Sequence, residues 1–374
     1  MKKAQLLIII LILAFGGFLY WLNTCYFEPY SFYSYGTLSY EKAVVLAVEE
    51  NWLEEDTDTV SGYKGRQQLK VLIKSGSFKG ETVTVDNHLT RTHNIYAEEG
   101  TELIVCLDKN SRGYHTSVYN YSRSKHVYLM VILFVLLMVT VGGMKGFKSA
   151  IGLFFSIICI LYFTLPLIFH GCSPIPVAVV SVILITAVTL IMIDGMTGKA
   201  LVALAGTAAG VIAAGLLFLL FSTLLKVSGF NLDEAEALYL ISQNTGLQLR
   251  HVLFASVLIA ALGAVMDVAM SVASTINELH ERNPQLNSKE LFDSGINVGK
   301  DMIGTMSNTL ILAYTGSSLS TMILFMAYSI NYHQIINMDY IVLEISQALA
   351  GSMGIILTVP CAAFLGARMA CVKG

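Results

Sequence analysis

Four side chains in the stretch GAVMDVAMSVASTINEL (Gly263–Leu279) stand at i, i+4, i+7 and i+11: Asp267, Ser271, Ser274 and Glu278. In a helix that spacing brings all four to one face. The pattern recurs downstream. Asp301, Thr305 and Asn308 stand at i, i+4 and i+7, and Glu344, Gln347, Gly351 and Ser352 lie on or near one stripe. All three sets fall within or at the edge of long apolar runs. An ionisable group at membrane depth costs about 2.5–3.5 kcal/mol on insertion scales, so its presence asks for a use. Carboxylates, hydroxyls and amides in file are what an ion or proton pathway is lined with. The competing reading is mechanical: Ser, Thr, Asn and Gln hydrogen-bond across packed helices, and Gly lets the helices approach. The Ser and Thr positions fit the mechanical reading better, and Asp267 the functional one. Glu278 and Asp301 lie near an interface, where a carboxylate is cheap, and fit both.

Depth follows from the helical rise. Asp267 is 17 residues from Arg250, about 25 Å along a helix, in the inner half of a core about 30 Å thick. Asn308 is 8 residues from Lys300, about 12 Å from the same side, hence at comparable depth. Glu344 and Gln347 fall in the outer half, and Glu278 and Asp301 at the inner mouth. Packed together, the three faces would form a stepped polar track. No Lys or Arg lies inside these last three apolar runs. Asp267 must therefore be hydrated, protonated or reached by a cation from a helix end, such as Lys300.

Other chemistry is thin. His170-Gly171-Cys172 supplies two metal ligands, which do not make a site. The acidic run Glu49, Glu50, Glu54, Glu55, Asp56 and Asp58 lacks calcium-loop spacing and reads as a solvated loop. Asp194-Gly195-Met196-Thr197-Gly198-Lys199 has the flavour of a phosphate loop but the wrong spacing. No Walker loop, dinucleotide fingerprint, zinc-protease helix or nucleophile elbow occurs. No metal and no cofactor is called for, and an enzyme is disfavoured. Cys25, Cys106 and Cys172 would share the oxidising side, an odd count that leaves at most one pair open.

The elements that must position these residues are membrane spans. Of 374 residues 55% are hydrophobic and 13% charged, against about 25% charged in an ordinary globular chain. Mean hydropathy is +0.65. Of the 49 formal charges, 25 sit between Thr24 and His126, and only 22 in the 248 residues from Val127 to Gly374. A first apolar run, Leu6–Leu22, follows Lys2 and Lys3 and has no small-residue cleavage site after it, so it reads as an uncleaved anchor. Seven further spans are predicted at His126–Gly142, Phe147–His170, Ile175–Ile193, Ala200–Leu225, His251–Thr275, Met302–Ile330 and Ile341–Ala367. With the N-terminus inside, ten Lys and Arg fall on the cytoplasmic side and two, Lys226 and Arg250, in the short external loops. That asymmetry predicts both termini cytoplasmic and residues 24–125 outside, in a bacterial plasma membrane. A net charge of −3 gives no signal for nucleic acid.

The expected organisation is an anchor over 1–23, an extracytoplasmic β-rich domain over 24–125 and a seven-helix bundle over 126–374. The fold class is thus a membrane all-α bundle of about eight transmembrane helices carrying a small barrel or sandwich. Strands are predicted at Ala43–Glu49, Gln67–Lys74, Glu81–Asp86, Glu102–Leu107 and Tyr114–Tyr119, punctuated by Gly76, Gly80, Gly100 and Gly113. An OB-like or SH3-like unit fits that count. Tyr26, Phe27, Tyr30, Phe32, Tyr33, Tyr35 and Tyr40 read as an interfacial belt and linker. Asn231–Gln243 reads as a short amphipathic helix on the outer surface. Gly206-x-x-x-Gly210 is a small-residue face for tight packing and a weak pointer to a dimer. Pro166 and Pro360 are expected to kink their spans.

The stretches GAVMDVAMSVASTINEL, VGKDMIGTMSNTLILAYTGSSL and EISQALAGSMGIILTVPCAA resemble hallmark segments of the YibE/YibF-like bacterial membrane proteins, and GSFKGETVTVDNHL resembles the outer region of the longer, YibE-type members. The resemblance implies a multispanning plasma-membrane protein with an extracytoplasmic β-rich domain, acting as a homo-oligomer or beside a shorter YibF-like partner. It assigns no activity and no residue roles. The expected function is a secondary transporter or permease component for a small solute or ion, coupled through Asp267. The alternative is a non-transporting scaffold or envelope-assembly factor whose polar faces only fasten helices.

Overall fold

The computed structural model describes residues 14–26, 38–110, 113–228, 230 and 235–372. The chain divides into two compact units, Tyr30–Leu137 and the remainder, Met1–Pro29 with Met138–Gly374.

The smaller unit holds five strands: β1 (Leu38–Glu55), β2 (Tyr63–Ile73), β3 (Thr82–Leu89), β4 (Glu102–Asn110) and β5 (Gly113–Tyr121). They close into a barrel in the order β1-β2-β3-β5-β4, the OB-like choice among the expected folds. Closure depends on β1. Its first part pairs with β4 and its second with β2, and register shifts at Val45/Ala47 and Val48/Glu50 bend it between the two. Period-two alternation points Val45, Leu69, Val71, Val85, Leu103 and Val105 into a dry core. Two polar residues also point inward, Gln67 and Asn87, both fully buried. The loop after β3 folds over that end of the barrel with Ile95 and Ala97 as a plug. Asn87 Nδ2 donates to Gln67 Oε1 (3.0 Å) and to the Ile95 carbonyl (2.7 Å), and Gln67 Nε2 donates to the Ala97 carbonyl (3.1 Å). The buried amides are therefore what fastens the plug.

The helices are α1 (14–26), α2 (Ser124–Phe169), α3 (Pro174–Asp194), α4 (Gly198–Leu224), α5 (Ala235–Thr245), α6 (Val252–Arg282), α7 (Ser288–Ser317), α8 (Leu319–Ala327), α9 (Tyr332–Ile335) and α10 (Asp339–Val372). Among the described residues five are long and apolar enough to cross a membrane, or six if α7 and α8 make one bent span. The two spans predicted between His126 and His170 form α2, whose 46 residues reach about 69 Å, enough for two crossings. α2 breaks at Gly143, where φ is +56° and ψ −137°. Glycine adopts that backbone without strain. Much of the predicted anchor, 1–13, and the start of the predicted outer helix, 231–234, lie outside the described residues. The rest of the outer helix is α5.

Proline acts on α2 as expected, through a π-helical turn at Ile160–Thr164 just before Pro166. Pro166 has no N–H to give the Tyr162 carbonyl four residues back. Asn23 Nδ2 of α1 supplies one at 2.7 Å, and Phe15 stacks against Phe155 and Phe163. Pro360 instead sits inside a continuous α10.

At the bundle's centre α10 lies against α4, α6 and α7. The Gly206/Gly210 face is spent here: a Cβ at Gly206 would come within 2.9 Å of Ala362 Cβ, and one at Gly210 would collide with Thr358 Oγ1. This small-residue face packs helices of one chain. Val257, Leu258, Ala261, Val265, Val268, Val272 and Ile276 of α6 complete the core.

Candidate functional site

The span predicted as Met302–Ile330 is broken. α7 ends at Ser317, α8 begins at Leu319, and their axes diverge by 56°. The sequence Gly316-Ser317-Ser318 supplies the weak helix formers at the break. A break frees the last carbonyls of one half and the first N–H groups of the other, and α8 has no side-chain cap. Such irregular backbone at membrane depth is tolerated where it is buried in protein or lines a cavity. A cavity of about 570 Å³ lies here, lined by Tyr314, Thr315, Ser318, Glu344 and the apolar Met322 and Phe325. Ser318 is 2% exposed and accepts a hydrogen bond from Tyr340 Oη at 3.0 Å. Glu344 stands half-buried beside them, and its Oε2 is buried with no hydrogen-bond partner among the described residues. The sequence pattern singled out Glu344; the break, Tyr314, Ser318 and Tyr340 it missed, although Gly-Ser-Ser inside an apolar run was the available signal.

The other predicted residues occupy one flank of the bundle. α6 and α7 run antiparallel, with Ile276 against Gly295 at one level and Ala261 and Leu310 meeting at Gly351 at another. Counting nine residues from the first contact places Asp267 level with Gly304 and beside Thr305 in depth. Ser271 and Asp301 follow about one turn further in, and Asn308 about one turn further out. Asp267, Asp301, Thr305 and Asn308 are exposed, and Ser271 and Ser274 half-buried. Thr305 Oγ1 donates to carbonyls of its own helix, Met302 (3.2 Å) and Asp301 (3.3 Å). Glu278 is tied to Arg282 at 2.7 Å on the exposed helix end. On α10, Gln347 is half-buried, whereas Gly351 and Ser352 are packed inside: a Cβ at Gly351 would press on Leu310 at 2.7 Å.

Glu344 thus sits near Tyr314, ten residues along α7 from Gly304, about 15 Å from the level of Asp267. The polar groups form a file along α7, from the outer cavity down the flank. They do not enclose a channel within the described residues of one chain.

A second cavity, about 700 Å³, opens where α3 meets α4 and is lined by Asp194, Lys199, Asn277, His280 and Glu281. Lys199 Nζ bonds Asp194 Oδ1 at 2.7 Å, and Thr197 caps α4 by accepting from the Ala200 N–H. The Asp194–Lys199 segment is therefore a paired turn between helices. Among the described residues no three His, Cys, Asp or Glu side chains converge as metal ligands. Cys106, Cys159, Cys172, Cys361 and Cys371 carry free thiols.

Two family models match the chain: YibE/F-like protein over residues 130–371, and YibE/F family N-terminal domain over residues 31–121. No curated protein and no solved structure matches it.

Proposed function

The chain belongs to the YibE/F-like family and is a membrane protein, and from that premise we propose that it is a secondary transporter or permease component for a small solute or ion. The observation that carries the proposal is the broken α7–α8 span with Glu344 facing the break. Transporters commonly build binding sites at interrupted helices, whose N-terminal ends face anionic groups of the substrate and whose free carbonyls face cations; here the half-buried Glu344 adds a carboxylate beside such a break. The exposed polar file of Asn308, Thr305, Asp267 and Asp301 continues from that cavity towards the other end of α7. In this reading Glu344 belongs to the outer binding cavity and Asp267 is the coupling carboxylate within the membrane. The topology that goes with it has eight spans, both termini in the cytoplasm and the barrel outside a bacterial plasma membrane, as the Lys/Arg asymmetry supports.

Flux into proteoliposomes, measured against a panel of ions and small solutes, tests the proposal. Asp267→Asn and Glu344→Gln keep shape and remove titration. Each is expected to leave the protein folded and to lower flux at least tenfold or abolish its pH dependence. Full flux with unchanged pH dependence in both variants sinks the coupling role. A wild-type protein that moves nothing across the panel favours the scaffold reading, for which the hydroxyls satisfied within their own helices speak.

A further inference from the structure

The exposed surface of the bundle is of two kinds. α2 and α4 turn large apolar side chains outward, among them Phe154, Leu201 and Leu216, as suits contact with lipid tails. The joint flank of α6 and α7 is mixed, setting polar side chains beside the exposed Ile311 and Leu312. There the exposed positions include Gly263 and Asp267 on α6 and Asp301, Gly304, Thr305 and Asn308 on α7. A Cβ added at Gly263 or Gly304 would meet no atom within 4 Å. Uncovered carboxylates and amides facing hydrocarbon are costly, because lipid offers them no hydrogen bonds. Water, protonation or a polar partner must relieve that cost.

We propose that a second copy of this chain covers it, the two related by a two-fold axis along the membrane normal. Such an axis keeps every residue at its own depth and sets the same patch against itself. The patch is self-complementary under that operation. Lys300 and Asp301 are adjacent and exposed, and neither forms an ion pair among the described residues. The cation of one copy therefore meets the carboxylate of the other. Asn308 carries donor and acceptor, so it can bond its own counterpart, and Thr305, whose proton is given to its own helix, can accept. Gly263 and Gly304 remove side chains where the backbones approach. Among the described residues the chain has no better-suited element to offer. The described part of α1 lies on α2, the Gly206/Gly210 face is filled by α10, and α2 from Val127 to Val139 has Tyr128 as its one polar side chain. The dimer encloses the polar file of each copy between two walls, and the proposal stands on exposure alone, whether or not the protein transports.

Oxidative cross-linking of the full-length protein in its native membrane tests this. Thr305→Cys and Asn308→Cys should give a covalent homodimer. Leu201→Cys, equally exposed but on an apolar face, should stay at the level of the native cysteines. Counting copies per lipid nanodisc by mass should give two, and Gly304→Leu, whose added Cβ meets no described atom within 4 Å, should reduce that to one with the helical spectrum unchanged. One copy per disc in the wild type overturns the proposal. So does a dimer that survives Gly304→Leu, or cross-linking of the α7 cysteines to a different protein in place of a second copy.

Discussion

Asn87→Ala in the barrel removes both donations from Asn87 Nδ2, to Gln67 Oε1 and to the Ile95 carbonyl. Gln67 Oε1 keeps the Ala97 N–H at 3.1 Å, so its loss is that of an ordinary bond, about 1 kcal/mol. The Ile95 carbonyl loses its amide partner in a site where Ile95 is 4% exposed, and an unsatisfied buried acceptor costs about 1–3 kcal/mol. Together that is about 2–4 kcal/mol, a large part of the 5–15 kcal/mol typical of a domain. For a domain of under 100 residues, 1 kcal/mol moves the melting temperature about 4–8 °C, so the expected fall is about 10–25 °C. The barrel closes on itself around its own core, and residues 38–122 are expected to fold alone. The assay is thermal and urea unfolding of that segment, followed by circular dichroism. Thr116→Ala, which removes an exposed bond to the Thr84 carbonyl at 2.7 Å, serves as control and should cost under about 0.5 kcal/mol. A shift below 3 °C for Asn87→Ala, or one no larger than the control's, would refute the view that the buried amides hold the plug.

Three further outcomes are expected. The Asp58 N–H, then Arg91 and Lys64, hold the Asp56 carboxyl below its usual range, and Lys125 does the same for Glu102. A depressed folded value means stability that is present above the unfolded value and lost as pH falls through the folded one. The urea midpoint of the barrel should therefore decline below about pH 4, and Asp56→Asn with Glu102→Gln should flatten that decline. Gly210→Leu would drive a side chain into Thr358 and Val265 and should prevent α4 from seating on α10; melting in detergent should fall by at least 10 °C, whereas Leu216→Ala on the exposed face should change it little. A cysteine at Gln243 should react with a membrane-impermeant maleimide from outside intact cells and one at Gln285 should not; labelling at Gln285 would overturn the eight-span orientation.

The barrel was legible because alternation is strict where one face is buried: every predicted strand lies at an observed one, which is longer by two to eleven residues. Length was lost at β1, whose bulges break the alternation and hide its far end, Glu50–Glu55. The plug was illegible, since Ile95 and Ala97 are buried by the fit of a loop and not by periodicity. In the bundle, hydropathy located the spans but could not tell a continuous apolar run from a broken one. Ser317–Leu319 breaks its helix whereas Pro360 does not, because α10 is held by packing on three sides. Helical spacing put Asp267, Asp301, Thr305 and Asn308 on common faces, as observed. Spacing has no term for which way a face turns, and it gave no sign that these faces look outward while Gly351 and Ser352 look in.

That outward turn bears on how the two carboxylates can cooperate. Their levels lie about 15 Å apart along α7, beyond the reach of a hydrogen bond or a direct ion pair. Glu344 and Asp267 therefore make no direct contact. Whatever links them must run through matter, and α7 is the element that touches both levels. Its stripe passes from Ser318 and Thr315 in the outer cavity through Ile311 to Asn308, Gly304 and Asp301. Ile311 is the one apolar residue in that file, so the file is polar at both ends and dry at one turn. A proton or ion could not step across that turn along one chain by side chains alone. It could do so if the 56° joint at Ser318 moved, tilting the upper part of α7 and letting water past Ile311. The broken helix and the interrupted polar file are then two aspects of one device, a hinge placed next to the only dry step.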